Sequence, residues 1–502
     1  MYVTFALLLL LVQHDHGGGV HGPADVGSVS FANSGSAAAQ DAFRRGLALL
    51  HNFEYDAAQT SFRDAQRIDS SFAMAYWGEA MSYTHPIWFR QDVAAARSVL
   101  QRLGSDAAAR AAKAPTQRER DYLRTVEILY GEGTKEERDF KFADAMRELH
   151  IKYPDDVDAT AFYALSILGT AHEGRDFGTY MRAAALLEEV FAANQRHPGV
   201  LHYLIHSYDD PVHAPLGLRA ARLYGSVAPN ASHALHMTSH IFIALGMWND
   251  VIDANQRAVD VFLKGRPTGV PCGHPALWQQ YALLQVKRYD EAKKMLDVCR
   301  ASTVDYNYGG GEAPLDPEDS RVGAVAMMQT FYALDSDRAA EPFAMPEGPY
   351  AAAKFTLAYG EAIAAARRKD VAALTTAATR LRELQKEVLA AIDSRKSANP
   401  AHRQRVDIVM SQVNALQMIA AGKREQGIAL LRETAGKEKA MAFDFGPPLI
   451  EKPSFELLAE QLFAMGRADE AADAYRVALE RAPGRRVAVE GLGRAASGVR
   501  RP

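Results

Sequence analysis

Four stretches of the chain, GLALLHNFEYDAAQTSFRDAQRID, LGMWNDVIDANQRAVDVF, LLQVKRYDEAKKML and FAMGRADEAADAYRVALERAP, are written to one pattern. Each has an apolar-periodic helix, a short turn, an aromatic or small residue followed by acid and Ala, and a second amphipathic helix. A unit of this kind cannot bury its apolar face alone, so neighbouring units must stack. The chain is therefore expected to be an all-α solenoid of about seven to nine helical hairpins.

The closing AMGRADEAADAYRVALERAP is the clearest copy, and it resembles the tetratricopeptide repeat, which has a period of 34 residues and two helices per repeat. Longer segments carry a closer resemblance. NFEYDAAQTSFRDAQRIDSSFAMAYWGEAMSY, RHPGVLHYLIHSYDDPVHAPLGLRAARLYGSVAP and HALHMTSHIFIALGMWNDVIDAN are similar to a family of mostly uncharacterised bacterial tetratricopeptide proteins with an N-terminal export signal. The resemblance spans residues 25 to 490 and implies the fold and the recurrence of the His-containing segments. It implies no reaction.

The solenoid text is interrupted once. Gly- and Pro-rich punctuation, DYNYGGGEAPLDPEDS and EPFAMPEGPY, surrounds a single short helical run, AVAMMQTFYAL. The expected organisation is a signal peptide over residues 1–13, a flexible Gly/His-containing segment over 14–35 and a solenoid carrying the histidines over 36–300. An irregular connection or lid over 301–350 and further helical repeats over 351–497 follow. The apolar run from Tyr2 to Val12 is too short to span a bilayer and reads as the core of an export signal, which places the protein in the periplasm or outside the cell.

Charge excludes one class of partner. Lys and Arg total 57 against 61 Asp and Glu, a net charge of -4, so no broad basic face is available for a phosphate backbone. Only Cys272 and Cys299 are present, which excludes a thiolate-rich metal site. In the hairpin register they lie on antiparallel partners, either as one disulfide or as two buried thiols, and a disulfide requires an oxidising compartment.

The repeat register gives the histidines their meaning. With Gly246-Met247-Trp248 as an inter-helix turn, His233, His236 and His240 fall at positions 2, 5 and 9 of a first helix. By resemblance to the repeat, these positions face the concave groove. In the preceding repeat His202 and His206 take positions 5 and 9, each 34 residues before His236 and His240. His274 takes position 2 of the next repeat.

Residues four apart on a helix lie on one face with Cβ atoms about 5–6 Å apart. Metal–nitrogen bonds of about 2.0–2.1 Å let such imidazoles share an ion. Packed helices lie about 8–10 Å apart, so the His202/His206 and His236/His240 pairs converge on one ion or face each other across two. His233 and His274 assist, and Asp209 and Asp210 supply oxygen ligands or orient an imidazole N–H. The alternative for this cluster is recognition of a peptide or carboxylate.

Imidazole ligation without thiolate suits zinc, copper, iron or nickel, and export to an oxidising compartment puts copper first, with zinc or iron behind it. The leading expectation is a metal-dependent oxidative enzyme acting on a small molecule or peptide in the groove, with Tyr203 and Glu79 as catalytic candidates and hydrolysis as second choice. Tyr281 and His85 are weaker groove candidates, and His197 and His213 are expected to make capping or turn contacts. The N-terminal HDHGGGVH is a weak copper-chelating candidate should cleavage expose His14. The competing expectations are a non-enzymatic scaffold that binds a protein partner and a metal-buffering protein.

Overall fold

A computed structural model describes residues 26–264, 272–302, 315, 320–336, 338, 343–394 and 400–498. The expected signal peptide, the HDHGGGVH motif and part of the interruption at 301–350 lie outside these residues. The described chain is all-α, of tetratricopeptide-type helical hairpins, with one two-residue β-ribbon.

In chain order the first pairs are α1 (Gln40–His51) with α2 (Tyr55–Ile68) and α3 (Ala73–Met81) with α4 (Val93–Leu103). The ribbon β1 (Thr84–His85) and β2 (Arg90–Gln91) lies inside the second of these. After the short α5 (Ala107–Ala111) come α6 (Gln117–Leu129) with α7 (Lys135–Lys152) and α8 (Val157–Leu168) with α9 (Phe177–Phe191). The histidine repeats are α10 (Pro198–Ser207) with α11 (Ala214–Val227), α12 (Ser232–Ala244) with α13 (Trp248–Leu263), and α14 (His274–Gln285) with α15 (Tyr289–Ala301). Beyond the interruption stand α16 (Arg321–Asp335), α17 (Ala351–Arg367) with α18 (Val371–Asp393), and α19 (Pro400–Ala420) with α20 (Arg424–Ala440). The chain closes with α21 (Ser454–Ala464), α22 (Ala468–Arg481) and α23 (Arg486–Ser497).

The two helices of a pair differ as the sequence pattern requires. Every residue of α10 is buried, and so are His233 to Ala244 of α12. Their partners α11 and α13 keep an exposed polar face, the ordinary amphipathic arrangement of an outer helix. First helices therefore form the inner layer, and whatever polar groups they carry must be satisfied inside the protein.

The inter-helix turns share a backbone signature that fixes the register. Gly246, Gly422 and Gly466 adopt left-handed φ values of 69°, 83° and 81° immediately after first helices, and Phe53, Lys287 and Lys369 adopt 57°, 61° and 59° at the matching place. A left-handed residue there reverses the chain tightly, and side chains other than Gly adopt it at a cost of roughly 1–2 kcal/mol. Phe53 is the bulky case, and its ring is directed inward, 7% exposed.

The inner face does not stay open. On one side the α1/α2 turn enters it: Asn52 Oδ1 accepts from Tyr224 Oη at 2.7 Å, and Glu54 Oε1 accepts from the His233 backbone N–H at 3.0 Å. On the other side the C-terminal helices fold back. Trp248 Nε1 donates to the Gly484 carbonyl at 3.1 Å, and the buried Arg485 donates to Asp335 and Glu456 at 2.7 Å and to Tyr281 Oη at 3.0 Å. An open concave groove at the histidines is thus replaced by an enclosed interior, because aromatic side chains from both ends of the chain fill it.

Residues 26–35, the described end of the segment expected at 14–35, pack against the helices: Phe31 is 6% exposed and packs on Phe43, Trp77 and Tyr122, and Ser34 donates to Glu119. Burying that ring outweighs the freedom of the polar residues around it. The described part of 301–350 contributes α16, packed between α14 and α17, and residues 441–453 form a strap over the histidines. Cys272 and Cys299 are joined as a disulfide that ties the start of α14 to α15.

Candidate metal centre

Pro198 in the first turn of α10 and Pro275 in that of α14 suit positions whose backbone N–H has no helical acceptor, and so start the two helices sharply. His197 caps α10, its Nδ1 accepting from the Val200 N–H at 3.3 Å. The start of α12 is held instead by the bond from the His233 N–H to Glu54, and the i, i+4 pairs His202/His206 and His236/His240 both point inward.

The six predicted histidines come together, but in a different partition from two facing pairs. His202, His206 and His233 form one trio and His236, His240 and His274 the other, the ligand nitrogens within each trio lying within 4.8 Å of one another. Each trio takes two imidazoles from one first helix and a third from the start of the next first helix. The reason is geometric: position 2 of a repeat reaches back across the helix–helix seam to positions 5 and 9 of its predecessor. The second trio is the first displaced by one repeat, with ring centroids 5.9 Å apart from His206 to His240 across the join.

Hydrogen bonds on the outward nitrogens fix the tautomers. Asn255 Nδ2 donates to the Val251 carbonyl, so its Oδ1 faces His236 and accepts from His236 Nδ1 at 2.6 Å. Asp209 Oδ2 accepts from His240 Nδ1 at 2.5 Å, and the His51 carbonyl accepts from His202 Nδ1 at 2.6 Å. Nε2 of all three rings therefore carries the lone pair and faces the interior. Outer-shell acceptors of this kind are what metal-ligating histidines require.

The inward nitrogens are poorly satisfied by protein. Nε2 of His202, His206 and His233 has no hydrogen-bond partner among the described residues, and neither does Asp209 Oδ1. His236 Nε2 and His240 Nε2 lie 3.2 Å apart with both lone pairs directed between them. An unsatisfied buried polar group costs about 1–3 kcal/mol, so this concentration is a substantial burden on the fold.

Burial holds His202, His206, His233, His236 and His240 well below the usual imidazole range, and neighbouring imidazoles push in the same direction. They are neutral, the form that binds a metal. A tetrahedral or trigonal ion with bonds of about 2.0–2.1 Å sets its donors about 3.3–3.6 Å apart, so each trio need draw in by only about 1 Å. The donor set fits two ions, three nitrogens each.

An aromatic shell encloses the cluster. The Phe53 ring lies 4.3 Å from His202 and 5.6 Å from His233, Trp88 lies 5.9 Å from His233, and Phe445 lies 5.1 Å from His240. Trp88, Phe445 and five of the six histidines, all but His202, line a cavity of about 20 Å³. Trp88 sits between the two strands of the ribbon, and His85, also in the ribbon, stacks on Tyr55 at 3.9 Å and takes no place in either trio.

The remaining sequence candidates go elsewhere. The Glu79 carboxylate is held by Arg63, Arg102 and Gln66, so it is committed to an ion-pair network and cannot act as a free base. Tyr203 Oη bonds to His51 Nδ1 at 3.0 Å, and Tyr281 Oη accepts from Arg485. Asp210 receives Arg175 and His213, which keeps His213 in its turn.

One group escaped the sequence reading. His51 and His197 both donate from Nε2 to Asp158 Oδ1, at 2.9 Å and 3.2 Å, in a fully buried network one repeat upstream of the first trio. The signal was present: Gly199 is 34 residues before His233, and a Cβ on it would lie 2.3 Å from His51 Nδ1. The place held by a histidine in later repeats is thus vacated for the ring of His51. Because both its nitrogens are already engaged, His51 supports the cluster through its carbonyl.

The sequence matches no family model and no curated protein. Among solved structures, a chain of the APC/C hetero-tetramer Cut9-Hcn1 is 11% identical over 93% of this chain and 78% of that one, with a TM-score of 0.35. The P58(IPK) TPR domain is 13% identical over 92% and 98%, with a TM-score of 0.22. Yeast Tom70 is 12% identical over 92% and 95%, with a TM-score of 0.31.

Proposed function

We propose that this chain is an exported helical-repeat protein that holds two transition-metal ions, one in the His202/His206/His233 trio and one in the His236/His240/His274 trio, and uses them in oxidative chemistry on a small molecule. The observation that carries the reading is the crowding of inward imidazole nitrogens: Nε2 of His202, His206 and His233 has no partner among the described residues, and Nε2 of His236 and His240 face each other while the Nδ1 atoms of His202, His236 and His240 are pinned by the His51 carbonyl, Asn255 and Asp209. Such preorganisation has no purpose in a dry core, where apolar residues would be more stable.

Copper fits best, with zinc or iron behind it. Neither trio contains a carboxylate, so two divalent ions would bring a large uncompensated charge into a buried site, whereas two copper(I) ions bring half of it. Paired copper supplies electrons to dioxygen when bound; the protein supplies orientation and the exclusion of water. The Cys272–Cys299 bond supports export, since it persists only in an oxidising compartment.

Elemental analysis of protein purified without an affinity tag tests the reading. Two equivalents of one transition metal per chain are expected. Metal-free protein that also fails to take up copper(I) to that stoichiometry contradicts it.

A second reading, a scaffold that binds a protein partner, draws on the outer surface. Phe177, Val212 and Leu216 are 45%, 67% and 54% exposed, and Phe177 contacts His213 in the turn just before α11, which carries Leu216. It would be favoured by protein that carries no metal yet captures a partner through this face. Easily exchanged metal without turnover would instead indicate buffering.

A further inference from the structure

Beside the histidine cavity lies a second, larger one. Where α22 and the strap 441–453 meet α12 and the start of α13 they leave an open-sided cleft of about 90 Å³. Its walls are largely apolar and rich in rings, among them Ile243, Trp248, Phe443, Phe455 and Val477.

Two features join this cleft to the metal centre. The first is Asp209, which lines the cleft, is 1% exposed, and divides its oxygens: Oδ2 holds His240 Nδ1, and Oδ1 has no partner among the described residues. A buried carboxylate oxygen left this way calls for a hydrogen-bond donor. The second is the strap. Asp444 and Gly446 line the cleft while Phe445, between them, lines the histidine cavity. Gly446 makes this crossing possible: its φ is 88°, and a Cβ there would lie 2.4 Å from the Trp278 ring. One ring, Phe445, thus forms the wall between the two spaces.

We propose that this cleft binds a small, largely apolar, ring-bearing molecule with a hydroxyl or amine group, which donates to Asp209 Oδ1. The inference deepens the metal reading by giving that centre a substrate class, and it rests on that reading only for the reaction, since binding in the cleft needs no metal. The ring body is recognised by the aromatic walls, the donor by the carboxylate, and the same carboxylate orients the His240 imidazole. Occupancy of the cleft is in this way felt at the metal ligand.

Equilibrium dialysis with 2-naphthol and with naphthalene tests this on the full chain, both metal-loaded and treated with chelator. One 2-naphthol per chain is expected in both preparations, with naphthalene bound more weakly. Val477→Trp and Ala478→Phe, on α22 and remote from the histidines, fill the cleft; each should weaken 2-naphthol binding about tenfold or more, the effect of losing roughly 1.4 kcal/mol, with helicity and metal content unchanged. Asp209→Asn should weaken 2-naphthol and leave naphthalene as it was. No saturable binding up to about 1 mM, which corresponds to less than about 4 kcal/mol of affinity, would overturn the proposal. So would binding that both filling variants leave intact. Protein without metal that still binds 2-naphthol in the cleft would retire the metal reading and leave this one standing.

Discussion

His236 Nε2 and His240 Nε2 approach to 3.2 Å while the opposite nitrogen of each ring donates to its own acceptor, Asn255 and Asp209. Two lone pairs in that position repel one another unless a cation lies between them. One repeat upstream the centroids of His202 and His206 are 4.8 Å apart, against 5.0 Å for His236 and His240. From these contacts come predictions about metal, acid stability, the disulfide and the repeat turns.

Because the trios are separate, single substitutions should remove ions singly. His206→Ala is expected to reduce the bound metal from two equivalents to one, and so is His240→Ala; the double variant should hold none. Helicity should survive, since truncating a buried imidazole whose Nε2 was unsatisfied removes a burden along with some packing. Metal counts by elemental analysis check this, and loss of both ions in either single variant would show one shared site instead.

Metal-free protein should be acid-labile. Burial lowers His51 to about 4 and holds five cluster histidines well below the ordinary 6.5. For a histidine lowered on folding, the unfolded chain binds the proton first, so its stabilisation is complete above 6.5 and is lost as pH falls. Each contributes a slope of up to about 1.4 kcal/mol per pH unit. Asp209, pushed up by burial, works in the opposite sense but is a single group. The melting temperature of chelator-treated protein should fall steeply from pH 6.5 towards 4.5; a flat profile would contradict the burial of neutral rings.

The position of His274 depends on the disulfide. Cys272 stands two residues before it, and the bond to Cys299 closes a loop of 27 residues, worth about 3.5 kcal/mol in the chain-entropy account. Cys272→Ser should lower stability by that order and weaken metal retention in the second trio, while the first trio keeps its ion. Chelator competition followed by elemental analysis separates the two, and equal loss from both trios would refute the local role.

How much of this was legible in the sequence depended on whether the signal was periodic. The 34-residue spacing of His202 to His236 and His206 to His240 placed all six rings on inner helix faces, and the turn at Gly246 set the register. The partition into trios was hidden, because it depends on position 2 reaching back across a seam. Phe53, Trp88 and Phe445 were invisible for a different reason: they arrive from elements distant along the chain, brought in by superhelical closure that no local pattern records. Glu79 misled because a buried carboxylate on an inner helix looks the same whether or not Arg63 and Arg102 have claimed it.

The turn register itself can be tested away from the centre. Lys369 occupies the left-handed position that Gly246, Gly422 and Gly466 fill elsewhere, at φ 59°, and is exposed. Lys369→Gly removes roughly 1–2 kcal/mol of backbone strain against about 0.4–1 kcal/mol of added freedom in the unfolded chain. A small rise in unfolding midpoint is expected by thermal scan. A fall would mean that the turn is not left-handed.

The central claim is that two adjacent repeats each hold one ion. Anomalous diffraction from crystals of copper-loaded protein, collected at the metal edge, tests it most directly. Two peaks are expected, one bounded by His202, His206 and His233 and the other by His236, His240 and His274. A single peak midway between the trios, or none within reach of either, would contradict the account.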